Sequence, residues 1–66
     1  MDTTASTSDR IIKIREVITM TGLSRSSIYL LIKKGTFPAQ VKLSTRSSGW
    51  FWSEINSWVM SRPRGT

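Results

Sequence analysis

The segment IREVITMTGLSRSSIYLLIKKG, residues 14–35, reads as two short helices joined by the tight turn Thr21-Gly22-Leu23-Ser24. In the first, Arg15 to Thr21, the residues Val17, Met20 and Thr21 share a face at the i, i+3, i+4 spacing. Gly22 ends it, because a residue without Cβ enters the left-handed conformation freely. Ser24 is the expected N-cap of the second helix, Arg25 to Lys34, since its hydroxyl can accept from an orphan backbone N–H. No Glu or Gln follows at the third helical position, so the reciprocal capping box is incomplete. Ile28, Leu31 and Ile32 form the buried stripe, Lys33 and Lys34 sit in the last turn where the dipole favours cations, and Gly35 closes the helix. Two helices so arranged can deliver the second into a DNA major groove.

What surrounds this pair has to hold it up. Met1 to Asp9, MDTTASTSD, is small, polar and aperiodic, and is expected to be a disordered tail. Arg10 to Ile14 alternates weakly, as a short strand or extended lead-in would. After the helices, Phe37-Pro38 forces an extended path. Val41-Lys42-Leu43 and Trp50-Phe51-Trp52 each alternate as strands, with Ser44 to Gly49 between them as a polar hairpin loop. Ser53 is the expected cap of a final helix, with Glu54 at its positive end. Ile55, Trp58 and Val59 repeat the helical stripe, Arg62 falls on the same side, and Pro63 stops it. The order predicts an α+β, mostly α fold: a small winged helix-turn-helix over residues 10–62, followed by a tail, 63–66.

Composition removes most function classes. A chain of 66 residues makes one domain near the lower size limit for folding unaided. It has neither Cys nor His, and its acids are Asp2, Asp9, Glu16 and Glu54. That leaves little for acid–base, nucleophilic or metal-assisted chemistry, so the expectation is no enzyme, no metal and no cofactor. The formal charge is +6 and the sequence pI about 11.0. So strong a basic excess on so small a surface points to a polyanion, and nucleic acid is the commonest. A membrane-surface peptide would need a long amphipathic helix, which the glycines and prolines interrupt. With no long apolar run and no signal-type N-terminus, the expected location is the cytoplasm, at the nucleoid.

At about 100° per residue, Ser26, Leu30 and Lys33 lie opposite the inward stripe, flanked by Ser27, Tyr29 and Lys34. Arg25 and Ser26 occupy the first turn, the part of a recognition helix that usually reaches base edges. Arg25 suits a bidentate pair with guanine, and Ser26 and Ser27 suit base or phosphate. Tyr29 fits a phosphate through its hydroxyl, or else covers the edge of the core. Lys33 and Lys34 fit charge neutralisation, although basic outer faces are often merely solvated. Leu30, a large apolar group at the centre of that face, suits a thymine methyl group or a second protomer. In the hairpin loop, Thr45 and Arg46 form a tip that can reach an adjacent minor groove or phosphate. The rings of Trp50, Phe51, Trp52 and Trp58 allow single-strand stacking, but core packing is the better use, each contributing about 2–3 kcal/mol.

Three blocks of sequence together resemble the AlpA-type prophage regulators, within the broad MerR-like and excisionase-like winged helices. They are Glu16-Val17 with Thr21 to Tyr29; Ile32-Lys33-Lys34-Gly35-Thr36-Phe37-Pro38; and Gly49-Trp50 leading to Ser53-Glu54-Ile55 and Trp58. The resemblance implies a phage-derived protein acting on an integrase promoter or on attachment-site DNA. Arg25, Ser26, Tyr29 and Lys33 would then be recognition-helix contacts and Arg46 the wing contact. Two positions depart from the pattern: Leu30 stands where a charged residue is common, and Ile18 where a small residue often lets the helices approach.

The expected function is therefore a sequence-specific, double-stranded DNA-binding transcriptional regulator. Double-stranded DNA is its partner, with integrase or RNA polymerase as protein partners and self-association on DNA. An excisionase that binds attachment-site DNA and recruits an integrase is the near alternative. A protein-binding inhibitor of an acidic partner is the alternative from another class.

Overall fold

The computed structural model describes residues 9–63. The elements run β1 (Ile11–Ile12), α1 (Ile14–Thr21), α2 (Arg25–Lys34), β2 (Val41–Ser44), β3 (Ser47–Phe51) and α3 (Trp52–Met60). The strands form an antiparallel sheet in the order β1-β3-β2, so β3 is central. This is the small α+β winged helix-turn-helix expected from the pattern. No helix among the described residues is long and apolar enough to cross a membrane. Of the expected tails, residues 1–8 and 64–66 lie outside the described residues.

Local chemistry explains the boundaries of the helix pair. Gly22 takes φ 75° and its N–H donates to Ile18 O, while Gly35 takes φ 79° and donates to Ile32 and Leu31 O. Both helices thus end in the left-handed turn that L side chains resist. Ile14 is already helical, one residue ahead of the expected start, with Lys13 at the N-cap position.

Three expectations at the C-terminal half need correction. The polar loop expected over 44–49 contracts to the turn Thr45-Arg46, because Ser44 pairs with Ser47 and Lys42 with Ser48 in a bulged ladder. Trp52 is not a strand residue; its N–H donates to Arg10 O at 2.7 Å, and α3 begins there. Ser53 is not the cap, since Phe51 holds the N-cap position with no side-chain bond. The Ser53 hydroxyl instead donates to Asp9 Oδ1 at 2.6 Å. Glu54 does lie in the first turn of α3, as expected.

The core is Ile12, Val17, Ile28, Phe37, Trp50 and Ile55, drawn from every layer, with Met20, Leu31, Ile32, Trp58 and Val59 packed around it. Trp50 is 1 % exposed and satisfies its indole N–H on Pro38 O at 3.1 Å. Phe37, read from sequence only as a backbone signal, is buried against Trp58 edge-on, centroids 4.8 Å apart. Trp58 donates its own indole N–H to Thr36 O at 2.9 Å, and the Arg62 guanidinium lies 4.1 Å over its ring. These bonds tie the segment after α2 to α3. Gly49 lets β1 close on the sheet: a Cβ there would lie 2.5 Å from Ile11 Cγ2 and 2.9 Å from Ile12 O.

Candidate nucleic-acid interface

The second helix is held by its ends and by one stripe. Ser24 Oγ accepts from the Ser27 N–H at 3.1 Å, and its hydroxyl donates to Ser27 Oγ at 3.0 Å. This cap satisfies an orphan donor and fixes where the first turn begins. Ile28 anchors the helix in the core with no exposed surface, while Leu31 and Ile32 are half-buried beside it.

The face opposite the stripe is open. Arg25, Ser26, Tyr29, Leu30, Lys33 and Lys34 are all exposed, and neither the hairpin nor α3 covers them. Leu30 is 54 % exposed, a large apolar group surrounded by cations and hydroxyls. Ser27 is half-buried and engaged in the cap, so it stands apart from the other sequence-selected residues. Thr45 and Arg46 are exposed at the hairpin turn.

The fold brings α2 and the hairpin together. A cleft is lined by Tyr29 of α2, Arg46, Ser47 and Ser48 of the hairpin, and Lys13 and Ile14 at the start of α1, with Trp50 as its apolar member. The Tyr29 and Trp50 rings lie 6.4 Å apart, so Tyr29 leans on the core through its ring. The Lys13 ammonium donates to Ser47 Oγ at 3.1 Å across the sheet junction. Sequence reasoning did not single out Lys13, Ser47 or Ser48. They meet through a contact spanning 34 residues of chain, which no local pattern announces.

The acids of the described residues, Asp9, Glu16 and Glu54, lie elsewhere. Glu16 is bound by Arg10 at 3.0 Å, both partly exposed, a pair of small energetic value but one that removes a carboxylate from competition. Asp9 accepts from Ser53. Glu54 lines a separate, larger groove with Pro38, Ala39, Ser57, Trp58 and Ser61. That groove offers an anion a carboxylate, whereas the cleft beside α2 has none among the described residues and is lined by Lys13, Arg46 and three hydroxyl side chains. Among the described residues no cluster of acids could hold a metal ion.

The family described as Prophage CP4-57 regulatory protein (AlpA) matches residues 10–63. A protein of Enterobacteria phage P4, described as uncharacterized protein ORF88, is 44 % identical over 59 residues, covering 89 % of this chain and 67 % of its own. The DNA-binding transcriptional activator AlpA of Escherichia coli strain K12 is 34 % identical over 59 residues, covering 80 % of this chain and 84 % of its own. No solved structure matches the chain. With a match that takes in β1, the helix pair, the hairpin and α3 alike, the chain belongs to the AlpA family of prophage regulatory proteins.

Proposed function

We propose that this protein is a phage-derived, sequence-specific, double-stranded DNA-binding transcriptional regulator. It acts at the nucleoid, placing α2 in a major groove and the Thr45-Arg46 turn on the adjacent minor groove or phosphate. The observation that carries the reading is the uncovered outer face of α2. Cations stand at both of its ends, Arg25 at one and Lys33 and Lys34 at the other, and Tyr29 shares a cleft with Arg46 of the hairpin. The activator from Escherichia coli, named as DNA-binding, supports it from the side of kinship.

The roles follow from chemistry and position. Arg25 reads a guanine edge, Ser26 contacts base or phosphate, and Leu30 meets a thymine methyl group. Tyr29, Lys33, Lys34 and Arg46 neutralise or bond phosphates, with Thr45 beside Arg46 at the tip. Ser27 contributes through the cap, keeping the first turn in register. One such module buries limited surface, so repeated sites or cooperative copies supply useful affinity.

Selection from randomised duplexes tests this. The expected result is one enriched motif, which shifts when Ser26 or Leu30 is changed. A selection that enriches nothing, alongside salt-sensitive binding to an acidic protein, overturns the proposal in favour of an inhibitor. Footprints phased beside an attachment core, rather than over a promoter, would assign the same binding to excision.

A further inference from the structure

The cleft between the start of α1 and the hairpin has a composition that α2 alone does not explain. Three separate segments converge on it, and each brings a hydrogen-bond donor: the Lys13 ammonium, the hydroxyls of Ser47 and Ser48 with the Arg46 guanidinium, and the Tyr29 hydroxyl. Among the described residues no carboxylate lines it. Lys13 is exposed, yet its ammonium is held in place by Ser47 Oγ at 3.1 Å. An ammonium carries three donors, so this bond leaves two for a ligand, while the Ser47 hydroxyl, acting here as acceptor, keeps its own proton to donate. Ile14, the first residue of α1, lies in the same wall and adds the positive end of that helix.

We infer that this cleft seats one backbone phosphate of duplex DNA, with Lys13 as its principal cation. The inference rests on the DNA-binding reading and adds to it a contact on neither α2 nor the hairpin tip. A phosphate fits the donor set because its oxygens accept several bonds at once and carry the charge that the cleft lacks. The seat lies between the two elements proposed to enter neighbouring grooves, where a strand of the duplex has to pass. Such a contact fixes register and carries no base information.

The test uses the full chain and the duplex enriched by selection. Lys13 is exposed, so in Lys13→Gln the melting temperature stays within a few degrees. Binding at 0.1 M salt weakens about eightfold, equally on selected and scrambled duplexes, and the slope of log K against log salt becomes shallower by about 0.9. Lys13→Arg retains most of the affinity. Single phosphates are then replaced by neutral methylphosphonate along both strands. One position per site should weaken the wild-type protein clearly more than it weakens Lys13→Gln. If Lys13→Gln binds with wild-type affinity and slope, or every methylphosphonate costs both proteins alike, the phosphate seat is wrong while DNA binding stands. If the wild-type protein binds no duplex specifically, both are wrong.

Discussion

Salt dependence offers the sharpest measure of how this surface meets a polyanion. The cations disposed on the proposed face are Lys13, Arg25, Lys33, Lys34 and Arg46, all exposed. If each neutralises one phosphate, about five condensed counterions leave on binding, and log K falls with log salt at a slope of about −4.5. Over a rise from roughly 50 to 200 mM salt, that slope weakens binding about 500-fold. Removing one charge, as in Lys33→Gln, brings the slope to about −3.6 and the loss over the same range to about 150-fold. Fluorescence anisotropy of a labelled duplex measures both. Arg10→Gln is the control, because the Arg10 guanidinium already donates to Glu16 at 3.0 Å and lies outside the cleft beside α2. A wild-type slope shallower than about −2, or an equal change in Arg10→Gln, would refute the assignment of charge to this face.

Other outcomes follow from the packing. Gly49→Ala should lower stability by about 1–3 kcal/mol, because its methyl meets the Ile12 carbonyl and lifts β1 from β3. Thermal unfolding should then drop by about 4–8 °C per kcal/mol, whereas Gly22→Asn, left-handed but in open space, should melt close to the parent. Trp50→Phe leaves Pro38 O without its donor, and denaturant titration should show a loss of about 1–3 kcal/mol. Ser24→Ala removes the cap on α2 and should cost about 1 kcal/mol by the same measurement. Replacing thymine by uracil at the Leu30 contact should weaken wild-type binding about fourfold and leave Leu30→Ala indifferent.

The helix pair was legible because its determinants are local. Gly22, Ser24 and Gly35 act within one turn of where they stand, and Ile28 announces the core by spacing alone. The hairpin was harder. Ser44, Ser47 and Ser48 have turn-like composition, yet they pair in the ladder because β3 is flanked on both sides, and strand preference yields to such context. Ser53 looked like a cap for the same compositional reason, but Asp9 claims its hydroxyl. Phe37 was masked by Pro38, whose backbone effect is obvious while the destination of the neighbouring ring is not. On the outer face of α2, the exposure of Arg25, Tyr29, Leu30 and Lys33 follows from helical angle. Lys13 carries no such signal, since its value depends on a partner that only the closed sheet supplies.

The central position of β3 has a mechanical consequence. Its first residue, Ser47, is the inner leg of the hairpin, and its far end pairs with Ile11 and Ile12 just before α1. Hairpin and helix pair therefore hang from one bar, β3. On the proposed reading, a duplex that meets both has to match their separation or be bent to fit. Base steps that flex easily would then be preferred even where no side chain touches them.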